Sequence, residues 1–236
     1  MSALSRILCL LVLLTIGNIA ASAQSTIFNI PSTDVLSEKS LYLEGDFIVH
    51  FDKLKNGGFQ TYGYRTVYGL RKKVEVGTNF FFTKSSAPKL NEFQANAKFK
   101  FYENEKLGLA ASAGTQIVIP IRNKVGLKTF SMFYSNASKV IKKANGLRVT
   151  GGYYRIVGVA KQDFGSKQGA IIGVEQPLFK KITFLADWYS GKNRFGYSAA
   201  GFGMPITKRQ SVYAGYNFGN VGRANNSFSF YYGINY

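Results

Sequence analysis

From Leu41 the chain reads LYLEGDFIVHFD, and its apolar and polar residues alternate. Leu41, Leu43, Gly45, Phe47, Val49 and Phe51 share one parity, while Tyr42, Glu44, Asp46, His50 and Asp52 share the other, with Ile48 the exception. Successive side chains of an extended strand point to opposite faces, so a period of two predicts a strand with one apolar face. Later segments repeat the pattern. In KVEVGTNFFFT, Lys73 and Glu75 oppose Val74, Val76, Phe80 and Phe82. In FQANAKFKF, Gln94, Asn96, Lys98 and Lys100 oppose Phe93, Ala95, Ala97, Phe99 and Phe101. In ITFLADW, Asp187 opposes Ile182, Phe184, Ala186 and Trp188. Arg155 breaks the parity of its own run, which predicts either a bulge or a position beyond the apolar layer.

Short basic turns join pairs of these runs: LRKKVEV, YENEKLGL, VIKKANGLRV, LFKKITF and ITKRQSVY. Connections of another kind lie between them, as in DKLKNGG, KSSAPK, RNKVG, AKQDFGSK, SGKNR and GNVGRANN. The result is a hairpin repeat of about twelve strands between residues 40 and 236. An even count places both chain ends at the side of the short turns.

Composition then decides which environment suits those strands. The chain has 20 Phe and 15 Tyr against one Trp, and beyond its first residues it lacks any apolar run of the ~18 residues that a spanning helix needs. Met1 to Arg6, the apolar run Ile7 to Ile16 and the triplet Ala21, Ser22, Ala23 have the three parts of a secretory leader with an A-x-A cleavage site. The domains expected are therefore a leader at 1–23, a periplasmic N-terminal segment at 24–39 and one barrel at 40–236. Cys9, the one cysteine, falls inside the leader, so the exported part has no disulfide framework, thiol nucleophile or thiolate ligand. In a bilayer each unpaired backbone group costs several kcal/mol, so strands cross only if the sheet closes on itself. The fold class expected is all-β, a closed antiparallel transmembrane β-barrel whose last strand pairs with its first.

The chain ends SFSFYYGINY. Counting back from Tyr236, the residues Ile234, Tyr232, Phe230 and Phe228 occupy the alternating places at which bacterial outer-membrane β-barrel proteins carry their C-terminal aromatic signature, which this stretch resembles. Tyr236 stands where that family most often has Phe. The resemblance implies an outer-membrane location, recognition by the barrel-assembly machinery and contact with outer-membrane lipids. On this reading Ser227, Ser229, Tyr231, Gly233 and Asn235 face inward.

A barrel of twelve strands lies between eight, which side chains can fill, and sixteen, which leave an aqueous channel. Its candidate lumen-lining residues are Glu44, Asp46, His50, Asp52, Arg65, Glu75, Asn96, Lys98, Lys100, Arg148, Glu175 and Asp187. Glu44 and Asp46 can face Arg65 across neighbouring strands as an acid-base ladder. A net charge of +18 implies weak anion preference in an open pore, although much of it lies at turns. A nucleic-acid partner is poorly matched, because the aromatics follow strand parity rather than a stacking groove. One histidine and the missing thiols indicate no metal and no cofactor. His50 with Asp52 leaves a lipid hydrolase open as a minor reading, although outer-membrane phospholipases have serine where this chain has Asp52. The function expected is a passive pore for small polar or anionic solutes, not an enzyme. A structural or interaction barrel with an occluded lumen is the alternative.

Overall fold

A computed structural model describes residues 25–86, 90–123, 126–179 and 181–236. The leader expected at 1–23 lies outside the described residues. The strands are Leu41–His50 (β1), Phe59–Arg71 (β2), Val74–Ser85 (β3), Leu90–Asn104 (β4), Leu109–Asn123 (β5), Phe130–Ile141 (β6), Leu147–Val157 (β7), Gln168–Phe179 (β8), Ile182–Tyr189 (β9), Tyr197–Pro205 (β10), Gln210–Gly219 (β11) and Ser227–Asn235 (β12). Each pairs antiparallel with the next, and β12 pairs with β1 to close the barrel. The seam runs from Tyr42 opposite Asn235 to Val49 opposite Phe228. Two further bonds between Leu41 and Tyr236, at 3.1 and 2.8 Å, extend it. Closure leaves no open edge, the condition for an extended chain to cross hydrocarbon.

The parity read from the sequence becomes inside and outside. Tyr64, Phe82, Phe99, Phe133, Ile172, Phe202, Phe218 and Phe230 are large, apolar and exposed, and they lie all around the wall. An apolar surface of that extent is lipid-facing, because in water it would drive aggregation. On β12, Ser227, Ser229, Tyr231 and Gly233 are buried, while Phe228, Phe230, Tyr232 and Ile234 take the opposite face. Arg155 does point outward, but β7 pairs with both neighbours in unbroken register. Its place near the loop end of that strand, rather than a bulge, accommodates the charge.

The lumen is filled more than the alternation predicts. Ser25 to Ser32 form a small hairpin inside the barrel, with Thr26 bridged to Pro31 and Ile27 N–H bonded to Ile30 O at 2.9 Å. Ile27, Phe28 and Ile30 at its tip are at most 1 % exposed. They join Leu185, Tyr213, Tyr231, Ile171, Tyr154 and Phe130 in one interior apolar cluster, against which Ile48 also packs. The chain then descends past Leu36, which packs with Tyr42 and Val67, and leaves beside β2 through Lys39 N–H to Gly69 O at 2.7 Å. The segment at 24–39, which the sequence leaves free to plug the barrel or to lie beneath it, runs over its described residues up into the barrel. Its few apolar residues have no period, so only the cavity that receives them reveals their role.

Candidate functional site

Among the described residues, five charged groupings line the interior, and four of them lie on the strands and the inserted segment. On β1 and β2, Glu44 lies opposite Arg65 in register. The Arg65 Nε sits 2.6 Å from Asp46 Oδ2 and 3.3 Å from Glu44 Oε1. Tyr42 OH donates to Glu44 Oε2 at 2.5 Å, and the guanidinium lies 5.5 Å from the rings of Phe81 and Tyr231. One cation thus serves two carboxylates, the ladder that the strand parity suggested.

On β3 and β4, Glu75 faces Lys98, with Nζ and Oε1 2.9 Å apart. Both ends of this pair hold the inserted segment. Lys98 Nζ donates to Ser25 O at 2.9 Å and Ser32 O at 3.3 Å, and Glu75 Oε2 accepts Leu36 N–H at 2.8 Å. On β7 and β8, Arg148 grips Glu175 through two nitrogens, and its third reaches Asp34 of the segment. Burial pushes the Asp34 carboxyl up, but the adjacent Arg148 guanidinium outweighs this and holds it below its ordinary value of 3.8. The fourth grouping is Asp187 on β9. Its Oδ2 accepts the backbone N–H groups of Phe28 at 2.8 Å, Asn29 at 2.6 Å and Ile30 at 3.0 Å. The tight turn aims three amides at one carboxylate, so the segment's tip is capped as a helix start would be.

Three expected lining residues, Lys100, His50 and Asp52, lie toward the rims. Lys100 bonds Glu103 at 2.6 Å beside a short turn. His50, at the loop end, stacks on Phe59 with Nε2 3.0 Å from Asp52 Oδ2 and Nδ1 against Asn226 O. Both ring nitrogens face oxygen acceptors rather than a hydroxyl to be deprotonated, which is poor geometry for a catalytic base.

Between the inserted hairpin and the longer loops lies a chamber of about 650 Å³. Ser25, Thr26, Asn29 and Pro31 form one side, with Phe164 and Phe195 of the loops opposite. Its wall on β3 to β5 is an amide relay: Asn79 Nδ2 donates to Gln94 Oε1 at 3.0 Å, Gln116 Nε2 donates to the same oxygen, and Gln94 Nε2 reaches Glu92 Oε2 at 3.2 Å. Glu92 in turn pairs with Arg194 from the β9–β10 loop, whose guanidinium lies 5.8 and 5.5 Å from the rings of Phe130 and Phe195. Glu92 shares the inward parity of Gln94 and Asn96 and was legible in the sequence. Arg194 and Asp34 sit in segments without a period, and no local signal marks them.

No protein-family model matches the chain, and no curated protein matches it in sequence. Solved structures do match in shape. A KdgM porin in complex with disordered oligogalacturonate superposes at TM-score 0.54 and 10% identity, over 84% of this chain and 98% of that one. An outer membrane channel from Pseudomonas putida F1 gives 0.52 and 11%, over 86% and 97%. The fold is that of the bacterial outer-membrane β-barrels. Outer membrane phospholipase A from Escherichia coli, an active-site mutant, gives 0.50 and 14%, over 85% and 91%. Barrels of this class put short turns on the periplasmic side. The inserted segment enters at the barrel end that bears the short turns, and the chamber lies between it and the longer loops.

Proposed function

We propose that this outer-membrane barrel is a channel for small polar solutes and that residues 25–36 close it from the periplasmic side. The observation that carries the reading is the chamber itself: about 650 Å³ of space inside the barrel, its wall carrying amide, hydroxyl and charged groups among apolar side chains, where a structural barrel of this size has room to be filled. In this reading the inserted hairpin blocks the way out, and its polar attachments to the wall, hydrogen bonds and ion pairs, can be exchanged for water. Conduction requires those attachments to open. The test is planar-bilayer recording of the whole chain beside Gly173→Val. A Cβ at Gly173 would meet Ile27 Cδ1 at 2.4 Å and Ile30 Cδ1 at 2.7 Å, side-chain tips of the hairpin alone. The parent is expected to be mostly closed with rare openings, and the variant open for longer.

A second reading has its own support. Ile27, Phe28 and Ile30 are wholly buried in the interior cluster, and apolar contacts of that kind favour a permanent filling. A barrel that stays closed in both proteins would establish this occluded reading and end the channel one. The engagement of both His50 nitrogens argues against a hydrolase.

A further inference from the structure

The chain carries +18 overall, yet the chamber presents no unpaired cation among the described residues. The basic groups are elsewhere: Arg71, Lys72, Lys73, Lys142, Lys143, Lys208 and Arg209 are exposed on the short turns. Of the cations on the chamber wall, Arg65 lies against Glu44 and Asp46, and Arg194 against Glu92. Between these pairs the wall carries amides and hydroxyls set among apolar side chains such as Ile48, Val67, Leu127 and Met132. Gln94, Gln116 and Asn79 form one hydrogen-bonded run. Tyr134 and Phe81 add aromatic rings to the lining.

From this we infer that the chamber takes uncharged, hydroxyl-rich solutes of sugar size and turns anions away, an inference that rests on the channel reading for passage but not for binding. Amides and hydroxyls offer donors and acceptors in equal supply, which suits a polyol that presents both. Flat aromatic faces cover the apolar C–H side of a sugar ring. A carboxylate entering the same space loses its water and finds each guanidinium already engaged, and an unpaired charge in such surroundings costs several kcal/mol. The net charge of the protein does not offset this, because the turn cations are exposed and screened within about 8 Å at physiological salt.

Glucose and glucuronate differ in little but charge and are suitable probes. In liposomes carrying the full chain or Gly173→Val, glucose is expected to enter at least about tenfold faster than glucuronate, a discrimination of about 1.4 kcal/mol. Glu92→Gln leaves the Arg194 guanidinium without its carboxylate and is expected to pull that ratio toward or below one. Arg194→Gln, a loop substitution that does not burden the barrel, is expected to raise it, and a heat-dependent gel shift verifies that each variant is folded. Glucuronate entering as fast as glucose, or a ratio indifferent to both substitutions, overturns the inference. If neither sugar enters, calorimetric titration of the detergent-solubilised protein separates the two ideas. Saturable binding of glucose but not glucuronate keeps the inference and removes the channel, whereas no binding removes both.

Discussion

Asp187→Ala tests how the inserted segment is held. One carboxylate oxygen accepts three consecutive backbone amides, those of Phe28, Asn29 and Ile30, at 2.6 to 3.0 Å. A hydrogen bond to a charged group contributes roughly 1.5 to 3 kcal/mol net. Three donors share the lone pairs of a single oxygen, so their effects do not triple, and about 3 to 5 kcal/mol is the reasonable sum. Alanine also leaves the amides unpaired inside the barrel, which acts in the same direction. At 1.4 kcal/mol per decade, the equilibrium between inserted and released segment should move by about two to nearly four powers of ten. Asparagine keeps an acceptor without the charge and should move it less. Single-channel recording measures the shift as open probability, with the gel shift verifying the barrel. An Asp187→Ala barrel that is folded and as closed as the parent would refute the reasoning, since the cap would then contribute nothing to retention.

Gly173→Val should lower the melting temperature of the segment's insertion while leaving the barrel's own heat-resistant band, because the clash falls on Ile27 and Ile30 alone; Gly173→Ala should do less, as isoleucine tips can rotate away. The Asp34 carboxyl is held below its ordinary 3.8 by Arg148, so its tether is fully present above that pH and is lost as the pH falls through the lower value. Open probability should accordingly be flat from neutral pH down to about pH 4 in this respect and rise below it, and Asp34→Asn should remove that rise. Deleting Tyr236 removes both bonds to Leu41 at the seam, and we propose that it also impairs recognition of the last strand by the assembly machinery. The expected outcome is less folded protein on a heat-modifiability gel, with Phe230→Ser on the same outward face having a similar effect.

The strand plan was open to a reader of the sequence because its signal is local. Every wall residue chooses between lipid and lumen, and that choice repeats every second position along LYLEGDFIVH and SFSFYYGINY alike. Closure followed from the cost of a bare edge in hydrocarbon, and the Glu44, Asp46 and Arg65 ladder from parity on adjacent strands. Ile48 and Tyr154 show where the rule falters: both are apolar and turn inward, because a filled lumen is itself an apolar environment. The sign of the overall charge was equally uninformative about the interior, since it counts exposed turns and paired wall cations alike.

By itself, then, the sequence determined the barrel, its strand number and which face meets lipid, all consequences of a period-two pattern and of backbone pairing. Only the tertiary structure decided that Ile27, Phe28 and Ile30 lie inside, that Asp187 caps their turn and that Arg194 neutralises Glu92 across the chamber. The Asp187 cap joins residues 159 positions apart, and no local pattern encodes such contacts. They exist because the closed barrel brings distant walls within reach of a segment that has no periodicity of its own.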